Sequence, residues 1–286
     1  MKIFSQAVVY SRMIKFSHTI FALPFALSAV VLVQATRPLA LKTVFWIVIA
    51  MAAARSAAMG FNRIADAELD AKNPRTAIRE IPRGAISKRE AAFFTFFSSL
   101  VFIIASGALS ILCFWLSFPV LAFVFAYSYT KRFTWIAHLF LGVAIGIAPM
   151  AVWVAATGKM PGAISVLSLA LMTYIAGFDI LYACQDVEFD RKQGLYSIPV
   201  YFGVRKAMII SGLLHAASVL SLAGLYWLFS LNHIYLVFVA VIGILFIVEH
   251  RLVNPGDLSK IDIAFFNVNS VISLLVLAAI FLGTIL

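Results

Sequence analysis

The chain reads as a succession of long apolar runs separated by short polar connections. Nine such runs fall near 16–33, 41–60, 91–112, 114–129, 135–156, 163–182, 207–229, 234–249 and 263–286, each close to the ~20 mostly apolar residues that an α-helix needs to cross a bilayer. The runs at 114–129 and 234–249 are short, as suits a tilted or incomplete crossing. Hydrocarbon offers the backbone no hydrogen bonds, so spans of this kind must satisfy their own amides and are helical. An all-α bundle of nine transmembrane helices is therefore expected. Lys2, Arg12 and Lys15 precede the first run, which has no small-residue cleavage site and reads as a retained helix, not a signal peptide.

Composition agrees. Hydrophobic residues make up 63% of the chain, charged residues 12%, and mean hydropathy is +1.02, whereas soluble domains carry about 45–50% apolar and about 25% charged residues. A net charge of +10 could suit nucleic acid, but its placement argues for membrane topology and no nucleic-acid partner. Apart from Arg37, Lys42, Arg55 and Lys159, every one of the 22 Lys and Arg lies in the N-terminus or in 61–90, 130–134, 183–206 and 250–262. These are alternate connections, which by the positive-inside rule places them and the N-terminus on the cytoplasmic side of a cell inner membrane. Cys113 and Cys184 show no ligand spacing and read as unpaired small hydrophobes. With no linker or low-complexity tract, 1–286 is expected to form a single domain.

One internal repeat stands out. Residues 66–72 read Asp-Ala-Glu-Leu-Asp-Ala-Lys and residues 186–192 read Asp-Val-Glu-Phe-Asp-Arg-Lys, so Asp66, Glu68, Asp70 and Lys72 recur as Asp186, Glu188, Asp190 and Lys192. Each copy follows the second helix of a four-helix unit, helices 1–4 and 5–8, with helix 9 left over. An even number of helices per repeat points both copies the same way across the membrane, which puts both motifs at the cytoplasmic end.

Asn62, Asp66 and Asp70 are spaced by four, as are Asp186 and Asp190, and Asp179 precedes Asp186 by seven. Such spacing lines up side chains on one face of a helix. One acidic motif alone reads as readily as a solvated loop; two copies in a chain with only 12 acidic residues do not. Hard oxygen donors without a His or Cys cluster point to Mg²⁺. Carboxylates could hold a diphosphate only through cations, and Arg75, Arg79, Arg83, Lys131, Arg132, Arg191 and Lys192 cluster beside the motifs. Arg55 is the outlier, about 10 Å before Asn62 along its helix. Inside a membrane an Arg costs roughly 2.5–3.5 kcal/mol, so it is expected to face the interior and an anionic partner.

These elements resemble the UbiA superfamily of intramembrane aromatic prenyltransferases. Asn62-Arg-Ile-Ala-Asp66-Ala-Glu-Leu-Asp70 looks like its first Asp-rich motif, with Arg63 where many members have Asp, and Asp179-Ile-Leu-Tyr-Ala-Cys-Gln-Asp186-Val-Glu-Phe-Asp190 is similar to its second. Tyr127-Ser-Tyr-Thr-Lys131 and the segment through Arg79 also fit family elements. The resemblance implies a Mg²⁺-dependent transfer of a polyprenyl group from its diphosphate to an aromatic hydroxy acid. The acceptor would be 4-hydroxybenzoate in ubiquinone biosynthesis or 1,4-dihydroxy-6-naphthoate in menaquinone biosynthesis. Asn62, Asp66, Asp70, Asp186 and Asp190 would hold metal, Arg79, Tyr127 and Lys131 would bind the donor, and Asp179 would be a further ligand or a carboxylate on the cation side. Arg55 would then contact the acceptor carboxylate or, as second choice, a diphosphate oxygen. Two rivals stand beside this reading. A phospholipid alcohol-phosphotransferase is disfavoured by the duplicated motif and the missing Asp-Gly-x-x-Ala-Arg lead-in. A cation-coupled transporter would place its carboxylates nearer mid-membrane.

Overall fold

A computed structural model describes residues 2–160, 162–253, 258, 261 and 263–285; Lys260 of the last basic connection and the final residue of the ninth run lie outside them. Among the described residues every regular element is a helix. Eight helices are long and apolar enough to cross a membrane: Leu41–Ala65, Lys88–Leu109, Ile111–Arg132, Ala137–Thr157, Ile164–Lys192, Val204–Leu228, His233–Leu252 and Phe266–Ile285. They match eight of the nine expected runs. The first run differs, because a 3₁₀ turn over Phe16–Phe21 is followed by a helix, Leu23–Thr36, that carries Pro24 in its first turn. Proline lacks the amide that an interior position needs, so the helix starts there. Its 14 residues rise about 21 Å, short of the ~30 Å hydrocarbon core.

Large apolar side chains point outward, among them Phe96, Trp115, Leu220 and Trp227, while Ser28, His138, Ser168, Ser211 and Asn269 are buried. This inversion of the soluble pattern, with the eight apolar helices, makes the chain a multi-pass membrane protein.

Contacts divide the chain into two compact units, one of Met1–Thr19 with Leu41–Tyr129 and one of Ile20–Ala40 with Thr130–Leu286. This grouping departs from the expected units of helices 1–4 and 5–8. The cause is the Leu23–Thr36 helix, which buries Phe25, Ala26, Ala29 and Leu32 in the second unit and stacks Phe25 on Tyr174 at 5.7 Å.

In the first unit Leu41–Ala65 packs along Lys88–Leu109. Between Ile47 and Arg63 its buried positions are small, Ala50, Ala53, Ala57 and Gly60, and Gly60 meets Thr95 so closely that a Cβ there would collide with the hydroxyl. Ser87 and Glu90 form a reciprocal capping box that starts the partner helix.

In the second unit Ile164–Ala183 is the hub. Two thirds (67%) of the most apolar stretch of its span is buried, against 22–39% for the other spans. Gly142 and Gly146 bring a neighbouring helix against it: a Cβ at Gly142 would lie 2.5 Å from the Met172 carbonyl oxygen, and one at Gly146 would lie 2.9 Å from the Met172 Cα. Glycines four apart open such a face for close backbone approach. On the other side the Ser211 hydroxyl donates to the Gly177 carbonyl (2.7 Å) and Ser218 to that of Ala170 (2.9 Å). Tyr174 donates to the Asn269 carbonyl (3.0 Å), and Asn269 donates from its amide to Glu249 (2.7 Å).

Gly146→Val is expected to force these backbones apart and cost about 1–3 kcal/mol. Gly162→Ala, where a Cβ meets nothing within 4 Å, is expected to be neutral. Thermal unfolding of the purified protein in detergent checks both; equal midpoints would refute the close-packing account.

Candidate active site

The Leu41–Ala65 helix does not end cleanly. Asp66 takes φ −96° and ψ 2°, and a six-residue helix, Ala67–Lys72, follows. The second motif repeats the device, since a 3₁₀ turn over Cys184–Asp186 leads into Val187–Lys192, with Asp186 at φ −100° and ψ 5°. Both leading aspartates thus occupy the same sparsely populated bridge conformation, so the sequence repeat is a repeat of backbone. Hydrogen bonds from the Asp66 amide to the Asn62 carbonyl (2.9 Å) and from the Asp70 amide to the Asp66 carbonyl (2.8 Å) carry the helical register across the break. Asn62, Asp66 and Asp70 therefore keep the common face that their spacing predicts.

On that face the Asn62 amide donates to Asp66 Oδ2 (3.0 Å). Asp70, only 6% exposed, receives Arg79 Nη1 on both oxygens at 2.7 and 2.8 Å. The connection between them is tightly folded: the Arg75 amide donates to Asn73 Oδ1, the Thr76 and Ala77 amides donate to the Asn73 carbonyl, and the Thr76 hydroxyl donates to the Asp70 carbonyl. Those turns return the chain so that Arg79 meets the carboxylate nine residues before it.

In the second unit Asp186 and Asp190 are buried. The Leu195 amide donates to the Asp190 carbonyl (2.8 Å), and the next amide, of Tyr196, donates to the Lys131 carbonyl (2.7 Å). Lys131 is the next-to-last residue of the 3₁₀ helix Tyr127–Arg132 that Tyr127 opens, and both side chains are half-buried. Asp179 stands on the hub helix with Oδ2 2.6 Å from His138 Nδ1. His138 went unnoticed in the sequence, although it is the one ionisable residue in the run 135–156.

Arg55 has partners of a kind that sequence reasoning missed. Nη1 donates to the Ile14 carbonyl and Nη2 to the Lys15 carbonyl, both at 3.0 Å, and Arg63 Nε donates to the Met13 carbonyl at 2.9 Å. These oxygens lie at the C-terminal end of the Lys2–Met13 helix, where carbonyls lack intrahelical donors and carry partial negative charge. The expected anionic partner is here a helix terminus.

Among the described residues no group of three or more His, Cys, Asp or Glu side chains gathers as a metal cage within either unit. The donor set nonetheless suits Mg²⁺. The motif side chains are hard oxygen donors, Asn62 already orients Asp66, and magnesium commonly takes one or two carboxylates and fills its shell with water and substrate phosphate.

Comparison with known proteins accords with this anatomy. The model of the UbiA prenyltransferase family matches residues 22–271, and the chain belongs to that family. A 4-hydroxybenzoate octaprenyltransferase of Psychromonas ingrahamii is 30% identical over 229 residues, 80% of this chain and 79% of that protein, and one of Sodalis glossinidius is 31% identical over 231 residues, 80% and 78%. A UbiA homologue of Aeropyrum pernix, solved without ligand, superposes with a TM-score of 0.83 at 31% identity, covering 92% of this chain and 96% of that one. An Archaeoglobus fulgidus homologue solved with DMAPP and Mg²⁺ shares the fold (TM-score 0.75) at 21% identity, covering 97% and 99%.

The Arg79–Asp70 pair is testable without substrate. Breaking a buried pair costs about 3–5 kcal/mol, and less is expected here because the Arg79 side chain is 20% exposed. Arg79→Ala should lower thermal stability, and Asp70→Asn in the same chain should restore part of it. Strict additivity of the two losses would exclude the coupling.

Proposed function

We propose that this protein transfers a polyprenyl group from a polyprenyl diphosphate to an aromatic hydroxy acid, with 4-hydroxybenzoate the first candidate. The observation that carries the reading is the duplicated break, with Asp66 and Asp186 in one backbone conformation inside a UbiA family match. The relatives' names favour 4-hydroxybenzoate. The segment through Arg79-Glu80-Ile81-Pro82 resembles both the 4-hydroxybenzoate enzymes and their menaquinone-pathway relatives, which keeps 1,4-dihydroxy-6-naphthoate as the second candidate.

In this reading Asn62, Asp66, Asp70, Asp186 and Asp190 hold Mg²⁺. The ion would neutralise the diphosphate and make it a better leaving group; the homologue bound to DMAPP and Mg²⁺ supports the choice of metal. Arg79 and Lys131 would bind diphosphate oxygens, Arg79 exchanging Asp70 for the donor, and Tyr127 would be a further donor-binding residue. The allylic carbon–oxygen bond breaks, a ring carbon ortho to the acceptor hydroxyl bonds to that allylic carbon, and the ring proton leaves to restore aromaticity. Arg55 is the candidate for the acceptor carboxylate. Of its five N–H groups, two serve Ile14 and Lys15, leaving three for a ligand. The positive-inside rule, applied to the basic connections, favours the cytoplasmic side of the inner membrane for this chemistry.

Purified protein offered both acceptors with a polyprenyl diphosphate and Mg²⁺ is expected to yield prenylated acceptor and diphosphate by mass spectrometry. Absence of product from both acceptors would refute the reading. Asp66→Ala and Asp190→Ala are each expected to abolish turnover in folded protein, and near-normal transfer by either would rule out a shared metal–diphosphate role. Arg55→Lys should raise the acceptor KM more than the donor KM, because an ammonium cannot reproduce the planar fork. For topology, cysteines at Lys72 and Lys192 are expected to be labelled from the cytoplasmic side and one at Lys159 from the other. Opposite labelling of the first two would contradict a parallel repeat.

A further inference from the structure

His138, Gly142 and Gly146 are spaced by four and share one face of their segment. That face lies antiparallel on the hub helix, with Gly146 against Met172, Gly142 against Met172 and Ala176, and His138 at Asp179. The two glycines leave no space between the backbones, and this close seat sets the 2.6 Å separation of His138 Nδ1 from Asp179 Oδ2.

His138 is fully buried, and its second nitrogen, Nε2, is buried without a hydrogen-bond partner. That asymmetry selects the tautomer. With the proton on Nδ1, the ring donates to Asp179 and leaves only a bare, buried acceptor at Nε2. With the proton on Nε2, or on both nitrogens, a buried N–H would be orphaned, an arrangement proteins rarely tolerate. Asp179 in turn keeps 21% of its side chain exposed, so one oxygen is pinned while the carboxylate still reaches solvent-accessible space. Its position seven residues before Asp186 sets it about 10 Å back from the second motif, inside the hub helix. That depth suits the reacting carbons better than the diphosphate.

We propose that His138 is a positioning residue for prenyl transfer: by donating its Nδ1 proton it fixes Asp179 as an oriented anionic carboxylate facing the positive charge that develops on the allylic carbon. No atom passes to His138. The carboxylate stabilises the cation only if it is aimed before the carbon–oxygen bond breaks, and a preorganised anion in a dry site acts without reorientation. This inference rests on the prenyl-transfer reading, and two measurements separate its failure from that of the reading.

The first measurement needs no turnover. In ¹⁵N-histidine-labelled protein in detergent, His138 is expected to show the Nδ1–H tautomer, and Asp179→Leu is expected to shift its resonances. An Nε2–H tautomer, or a spectrum indifferent to Asp179→Leu, would overturn the proposal. The second measurement is kinetic. His138→Leu is expected to lower kcat about 10²-fold, the usual scale for a misplaced catalytic group, with the donor KM changed less than about twofold. His138→Asn, whose amide can donate from nearly the same place as Nδ1, is expected to recover kcat to within about tenfold of the parent. Full activity of His138→Leu, or a folded His138→Asn no better than His138→Leu, would refute the positioning role. Wild-type protein that transfers to neither acceptor would instead refute the functional reading, while the tautomer measurement would still decide the hydrogen bond.

Discussion

Close backbone approach to one buried helix is the constraint on which the second unit depends. Ile164–Ala183 carries the second acidic motif at its end, and its neighbours reach it through glycine and serine. Gly142 and Gly146 admit one helix, Ser211 donates to Gly177 on another, and Gly177 itself has no room for a Cβ beside the His215 ring. In lipid there is no hydrophobic gain from bringing two apolar helices together, so contact area and interhelical hydrogen bonds must supply the association. Small residues deliver both, because they shorten the distance over which dispersion acts and bring side-chain hydroxyls to main-chain carbonyls. The first unit uses the same device, with Gly60 against Thr95 on the helix that carries the first motif.

A rigid helix that then breaks at its polar end solves a second problem. Carboxylates within the hydrocarbon are costly, yet the proposed chemistry on a polyprenyl diphosphate needs them where an apolar chain ends. The bridge conformations of Asp66 and Asp186 mark where each long helix passes into a short one, and at the first break the helical register is carried through. Four residues of spacing therefore still align Asn62, Asp66 and Asp70, while the short helices turn the chain toward connections rich in Arg and Lys. Arg79 shows the consequence, since a folded loop rather than helix periodicity brings it to Asp70.

This explains what the sequence discloses and what it withholds. Periodic features were legible: eight apolar spans, the spacing of Asn62, Asp66 and Asp70, and the repeat at Asp186 and Asp190 all follow from counting residues along a helix. The first run was harder, because a 3₁₀ turn and Pro24 shorten its helix without changing its hydropathy. The allegiance of that helix to the second unit depends on Phe25 meeting Tyr174, a contact between distant parts of the chain with no local signature. Arg55 was recognisable as a residue requiring a partner, but its observed partners are the carbonyls of Ile14 and Lys15, and main-chain groups look alike at every position of a sequence. His138 was visible only as a lone polar residue in an apolar run, a pattern that a hydrogen-bonded core histidine also produces.

What distinguishes His138 from such a core residue is the partner of its paired nitrogen: buried His215 also has a bare Nε2 but pairs its Nδ1 with another histidine, His250, whereas His138 meets the partly exposed carboxylate of Asp179. The buried Glu249–Asn269 pair ties two helices together and leads on through the Asn269 carbonyl to Tyr174, as expected of groups that hold helices. His138 instead spends its one useful proton on a carboxylate that stays partly exposed and leaves Nε2 bare. An apolar side chain of similar size in its place would remove the bare Nε2 but leave Asp179 without its donor. Retaining an imidazole with one unsatisfied nitrogen, at the place where a glycine-seated helix meets Asp179, makes sense where the orientation of that carboxylate matters more than the stability of the pair.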